Sequence, residues 1–190
     1  MRKVFVLISA CTILASCSVW GETSNPMVVT LIAGPEEESE SVSLDDIKIG
    51  TDIEIDGFAT VTPLDFKYVD AVNVNGDWTK SRDEADYGTL FMDFLNTTVK
   101  PKDYLANVEV KAVYDDTYEY AGWAYQLLDN DAGDWRGSGD KKYILIDPMY
   151  MGHYVFGATL PNAVVNGNKE LRFEITIDDN EMIYYAKRGE

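Results

Sequence analysis

The sequence predicts an all-β fold, an antiparallel sandwich of about seven to nine strands in one domain. Three observations point there. Apolar residues recur at every second position over several runs, as half-buried strands require, because successive side chains on a strand face opposite ways. Clusters of Asn, Asp and Gly separate those runs. Beyond Cys17, no stretch spaces its apolar residues at i, i+3, i+4 and i+7 as an amphipathic helix does.

The strand pattern occupies residues 42–190. Within residues 58–69, Leu64, Phe66 and Tyr68 alternate with Asp65 and Lys67. Residues 88–96 put Leu90, Met92 and Phe94 on one face. Val108, Val110, Ala112 and Tyr114 alternate with Glu109 and Lys111. Residues 118–128 are aromatic and lack helical spacing. Tyr154, Phe156, Ala158 and Leu160 share a face of the next run. Leu171, Phe173, Ile175 and Ile177 alternate with Arg172, Glu174 and Thr176. Asp178-Asp179-Asn180 then turns the chain into residues 182–187, the clearest hairpin. Residues 75–77, 129–140 and 166–168 are the other turn clusters. The predicted core includes Phe66, Met92, Phe94, Phe156, Phe173 and Ile175, and Arg172 points away from it.

The first residues form an export signal. Arg2 and Lys3 give a positive start, and residues 4–15 are apolar save for Ser9 and Thr12. That run has signal-peptide length and falls short of the ~20 apolar residues that span a bilayer. Leu14-Ala15-Ser16-Cys17 resembles the bacterial lipobox, where a cysteine thiol takes a diacylglycerol and the chain is cut before it. The resemblance implies a signal over residues 1–16, lipidation at Cys17, and a protein anchored to the extracellular face of the membrane. Ile8-Ser9-Ala10-Cys11 shows the same pattern but leaves too short an apolar core. The alternative is cleavage after Gly21 and secretion. Residues 17–41 then serve as an acidic tether, since Glu36-Glu37-Glu38 with Ser39, Glu40 and Ser41 cannot bury a core. Inside it, Met27-Val28-Val29-Thr30-Leu31-Ile32 is either a strand that joins the sheet or an apolar part of the tether.

Acids outnumber bases 33 to 16, and removing Arg2 and Lys3 takes the formal charge from −17 to −19. Such a charge argues against nucleic acid and against anionic lipid headgroups as partners. Both cysteines, Cys11 and Cys17, lie in the signal region. The folded domain therefore has no disulfide, thiol nucleophile or thiolate metal site.

The order of segments carries a further resemblance. Ile47-Lys48-Ile49-Gly50 leads into residues 58–66, and residues 87–96 end in an Asn96-Thr97 turn. Tyr118-Glu119-Tyr120-Ala121-Gly122-Trp123 follows. Ile146-Asp147-Pro148 precedes a strand that closes at Leu160-Pro161, and Leu171–Ile177 completes the set. In this order the chain resembles the immunoglobulin-like, telokin-like domain of exported Gram-positive lipoproteins. The resemblance spans roughly residues 45–187 and implies that the domain over residues 42–190 is an immunoglobulin-like sandwich. Most such domains have no assigned function, and the resemblance brings no catalytic residues to carry over. Taken with a folded domain that has no cysteine, one histidine and no phosphate loop, it makes a non-enzymatic, surface-anchored domain for protein binding or scaffolding at the cell envelope the leading expectation.

The chemistry within reach is sparse. His153 is the one histidine, which rules out a three-histidine zinc site, and it reads as a structural strand residue. Ser81 and Ser138 lack nucleophile-elbow spacing, and there is no glycine-rich phosphate loop. A pair of nearby acids suffices for a glycosidase, so a small carboxylate-dependent hydrolase is one alternative function. Asp129, Asp131 and Asp134 make the best metal candidate, an oxygen-rich loop of the kind that suits calcium. Its Gly133 sits one place early for the helix-flanked calcium loop, and a plain polar hairpin loop is the other reading. Trp135 beside Arg136, and Trp78 between Asp77 and Thr79, are loop aromatics. They either recognise an envelope protein or glycan, or lid the ends of the sandwich. A carbohydrate-binding module, the remaining alternative, would present a flat strip of exposed aromatics on one sheet face.

Overall fold

Alternation gives each strand one apolar face, and the chain buries these faces by curling a long sheet over on itself. The structure is a computed structural model that describes residues 43–74, 77–127 and 145–189, with backbone alone at 73, 74, 77 and 78. The described residues form β1 (Ser43–Leu44), β2 (Ile53–Ile55), β3 (Ala59–Val69), β4 (Ala71–Val74), β5 (Asp77–Lys80) and β6 (Ala85–Leu95). Then come β7 (Val108–Tyr114), β8 (Tyr118–Leu127), β9 (Met151–Pro161), the one-turn helix α1 (Asn162–Val165), β10 (Leu171–Ile177) and β11 (Asn180–Lys187). Nine strands make one sheet in the order β1–β11–β10–β7–β8–β9–β6–β3–β2, and β4 pairs with β5 as a separate ribbon.

The all-β sandwich is borne out, with a topology that period-2 patterning does not reveal: its two layers are continuous through β8. The first half of β8 pairs with β7, from Tyr118 opposite Tyr114 to Ala121 opposite Lys111. The second half pairs with β9, from Gly122 opposite Ala158 to Leu127 opposite His153. Gly122 sits at the changeover. A Cβ there would lie 2.5 Å from Val110 Cγ1 and 2.8 Å from the Gly157 carbonyl oxygen. Lacking one, the strand can bend from one layer into the other. On the far side, the connection between β1 and β2 links the two layers. Its Ile47 N–H donates to the Ile183 carbonyl on β11 at 2.9 Å, and its Gly50 N–H donates to the Pro63 carbonyl on β3 at 2.7 Å. The β1–β11 pair is parallel, whereas the other paired strands are antiparallel.

The interior follows the predicted faces. Met92, Phe94, Phe156, Phe173 and Ile175 are fully enclosed. Phe66 is half-buried, and its ring bridges the layers, with its centroid 5.5 Å from both Phe173 and Tyr184. The β10–β11 hairpin closes as predicted, with Ile177 opposite Asn180 and Asp178 in the left-handed region at φ 52°. Asp accepts that conformation more readily than most residues.

Two faces depart from the sequence pattern. Pro63 lies opposite Met92 and Asp65 opposite Phe91, so Leu64 is the extra residue of a bulge. Pro63 has no N–H for the ladder, and a bulge is where a strand tolerates that. Leu64 consequently leaves the face of Phe66 and Tyr68 and joins a second apolar cluster on the outside of the β8–β9–β6–β3 layer. Val72, Tyr87, Phe91, Leu127 and Val155 are buried in that cluster, with Val69, Trp123 and Tyr125 packed on them. β6 is thus buried on both faces.

Candidate interaction site

One end of the sandwich gathers the candidate site. β6 finishes there and β9 and β3 begin there, since Leu95 lies opposite both Met151 and Thr60. Asn96, fully buried, follows β6 directly and saturates its hydrogen-bonding capacity. Its Nδ2 donates to the carbonyls of Lys100 at 2.9 Å and Ile146 at 2.7 Å. Its Oδ1 accepts from the Thr98 N–H at 2.9 Å and the Thr98 hydroxyl at 2.7 Å. Its backbone N–H donates to the Tyr150 carbonyl at 2.9 Å, and its carbonyl accepts from the Met149 N–H at 2.8 Å. Lys102 and Ile146 exchange two further backbone bonds, of 3.0 and 2.9 Å. One asparagine therefore fastens the loop after β6 to the loop before β9.

The second loop ends in a turn over Asp147-Pro148-Met149-Tyr150, closed by the Tyr150 N–H donating to the Asp147 carbonyl at 3.1 Å. Proline at the second position and a left-handed third residue are the signature of a type II turn, which favours glycine at that third place. Here the third residue is Met149, with φ 64°. Among the described residues, the five other non-glycine residues with positive φ are all Asp or Glu. A bulky apolar residue held this way carries backbone strain of about 1–3 kcal/mol, of the kind that collects at functional sites.

The fastened loops present apolar side chains to solvent. Val99 is 90% exposed, Met149 73%, Tyr150 69%, Leu145 57% and Met151 47%. Among the described residues only two other large apolar side chains, Ile49 and Tyr118, are comparably exposed. Beneath the loops Tyr104 and Tyr154 are enclosed, and the Tyr104 hydroxyl donates to the Phe58 carbonyl at 3.1 Å. Burial pushes both hydroxyls above the ordinary tyrosine range, with Asp178 adding to the shift at Tyr104 and Tyr104 adding to it at Tyr154. Lys102 Nζ sits 4.1 Å from the Phe58 ring centroid and 3.4 Å from Asp178 Oδ2. This surface escaped sequence analysis. Its one visible sign is Pro148 followed by three bulky apolar residues where the turn calls for glycine.

His153 is held as a strand histidine beside a partner the sequence does not reveal. Its Nδ1 lies 2.6 Å from Oδ1 of Asp93, the residue opposite on β6. Asp93 is only 6% exposed although it alternates with core residues, because the outer cluster covers that face as well. Among the described residues the aromatic members of the outer face do not form a flat strip. Trp123 and Tyr125 are tilted by 40°, and Trp123 and Tyr87 by 76°. A groove of about 470 Å³ opens where β7 and β8 separate, flanked by Glu109, Lys111, Glu119 and Gly122.

Cys17, Asp129, Asp131, Asp134, Trp135 and Arg136 lie outside the described residues. The segment carrying the last five is rooted at Leu127 and Leu145, at the Met149 end. Trp78 belongs to β5, whose ribbon is rooted at the opposite end, between Val69 and Ala85. The described residues that flank Trp135 in the sequence and the ribbon that carries Trp78 thus lie at opposite ends of the sheet. Among the described residues, no group of three or more His, Cys, Asp or Glu is placed to hold a metal, and no helix is long and apolar enough to cross a membrane.

No protein-family model matches the chain, and no curated protein does. Solved structures do. An uncharacterized β-sandwich protein from Clostridium difficile 630 superposes with a TM-score of 0.58 at 20% identity, over 81% of this chain and 99% of that one. A conserved hypothetical protein from Bacillus anthracis gives a TM-score of 0.49 at 14% identity, over 73% and 94% of the two chains. The first likeness supports the β-sandwich fold.

Proposed function

We propose that this domain is a non-enzymatic binding module at the bacterial cell envelope, held to the extracellular face of the cell membrane through an acylated Cys17. The observation that carries the binding reading is the loop end fastened by Asn96. A buried polar hub holds two loops rigid, and those loops expose Val99, Met149 and Tyr150 instead of hiding them. Monomeric proteins rarely keep contiguous apolar surface in water unless something covers it. Rigid presentation also lowers the ordering cost of association. A sheet that holds its end loops in place suits recognition.

The full chain, expressed in a Gram-positive host with a photo-reactive residue in place of Tyr150 or of Tyr118, tests this. A discrete adduct from position 150, absent from position 118, is expected. The binding reading is wrong if the purified protein turns over a substrate in a hydrolase screen and loses that turnover, while still folded, on Asp93→Ala or His153→Ala. Anchoring is tested by Cys17→Ala, which should move the protein from the membrane fraction to the medium.

A further inference from the structure

Resting on that reading, we infer that the partner of the Met149 end is a basic protein or peptide with an apolar face. The centre of the surface sets the apolar half of the requirement. Val99, Leu145, Met149, Tyr150 and Met151 leave their side chains in water. Two of the five are methionines, unbranched and polarizable, which adapt to a partner's contours, and a tyrosine adds a large amphipathic ring.

The connections at this end set the charge. Among the described residues five carboxylates sit on the connections at this end: Asp56 between β2 and β3, Asp103 between β6 and β7, Asp147 in the turn, and Asp178 and Asp179 between β10 and β11. Among the described residues two lysines stand with them, Lys100 and Lys102, and Lys102 is already paired with Asp178. The whole chain has a formal charge of −17, so its long-range field points the same way as these carboxylates. Carboxylates at the same end as exposed apolar side chains steer cationic partners in and repel acidic ones.

The same charges disfavour other occupants. A second copy would bring one set of carboxylates against another, and an anionic bilayer would be repelled by both these carboxylates and the net charge. Strain at Met149 fits a recognition role. Glycine would satisfy the turn better and would remove the side chain that protrudes most from it.

Three measurements on the purified full chain carrying Cys17→Ala, so that no acyl group contributes, decide the matter. Fluorescence anisotropy uses a labelled peptide alternating Leu with Lys, and a matched one alternating Leu with Glu. The Leu–Lys peptide should bind, more weakly as salt rises, and the Leu–Glu peptide should bind at least about tenfold less tightly. Met149→Ser with Tyr150→Ser should weaken Leu–Lys binding about tenfold or more, while Tyr118→Ser at the other end leaves it unchanged. Met149→Gly should weaken binding while raising Tm, which separates loss of the surface from loss of the fold. Equal binding of the two peptides, or a double variant that binds like its parent, overturns the inference. Sedimentation with phosphatidylcholine vesicles and analytical ultracentrifugation supply the other arms. If the double variant abolishes vesicle binding or a dimer instead, the partner class is wrong and the binding reading stands. If the double variant changes none of the three and position 150 gives no photo-adduct, both are wrong.

Discussion

Trp123 and Gly157 share one volume. They face each other across β8 and β9, and a Cβ on Gly157 would sit 2.4 Å from both Cη2 and Cζ2 of the indole. The indole lies across the bare glycine backbone, with Tyr125 5.2 Å and Tyr87 6.0 Å away between ring centroids. That packing anchors the outer cluster, where the second half of β8 joins the layer.

Gly157→Ala must therefore expel the indole or shift a strand. The expected cost is ~1–3 kcal/mol, in the range of overpacking substitutions, with a red shift of tryptophan emission as Trp123 loosens. Gly189→Ala is the control, because its nearest neighbours would be an ordinary 3.5 and 3.7 Å away. Urea unfolding measures both, and matching midpoints for the two variants would refute the shared-volume account.

Where one face of a strand meets the core and the other meets water, the sequence states the strand outright, as in β10 with Phe173 inward and Arg172 outward. β8 was legible as an aromatic strand, but its two partners were not. Nothing local to Ala121-Gly122 announces that pairing passes from β7 to β9 there. Leu64 was assigned to the wrong face because alternation has no way to count a bulge. The burial of Asp93 was not legible for a related reason: period 2 separates two faces without saying that the second is also covered. The site was less legible still. Asn96 marks a turn in the sequence, yet its grip on Ile146 spans fifty positions and belongs to the tertiary fold. Exposure of Met149 to Met151 is likewise a tertiary fact, since bulky apolar residues ordinarily signal a core.

Glu174 links Lys111 to Arg172, at 2.8 Å from each. Burial pushes its carboxyl up, but the two cationic hydrogen bonds outweigh burial and hold it below the ordinary range. A depressed carboxyl stabilises the fold above its unfolded pKa of about 4.3, and that contribution is lost as pH falls through the lower folded value. Glu174→Gln should flatten the acid limb of the stability curve, measured by urea titration at pH 7 and pH 3. Arg172 also bonds Asp116 and Glu170, so Arg172→Ala should cost about 1 kcal/mol, more than its outward direction alone suggests. Phe173→Ala should cost ~3–5 kcal/mol from the enclosed side of the same strand. A larger loss at Arg172 than at Phe173 would mean that the faces of β10 are reversed.

The alkaline limb depends on buried tyrosines. Burial, helped by Tyr184, pushes the Tyr68 hydroxyl up to about 12, and Tyr104 and Tyr154 are raised further. For an acid whose folded pKa is raised, the contribution is fully present below the unfolded value, near 10, and is lost as pH climbs through the folded one. Stability should hold to about pH 10 and then fall, as folding resists the phenolate that the unfolded chain accepts. Two substitutions separate the residues. Among the described residues the Tyr154 hydroxyl has no hydrogen-bond partner, whereas that of Tyr104 bonds the Phe58 carbonyl. Tyr154→Phe removes an unsatisfied buried group and should be neutral or stabilising at pH 7, with a shallower alkaline decline. Tyr104→Phe leaves the Phe58 carbonyl short of its donor and should cost ~1 kcal/mol at pH 7 while also softening the decline. Denaturant titrations at pH 7 and pH 11 compare them, and equal destabilisation by both at pH 7 would show that the Tyr154 hydroxyl has a partner after all.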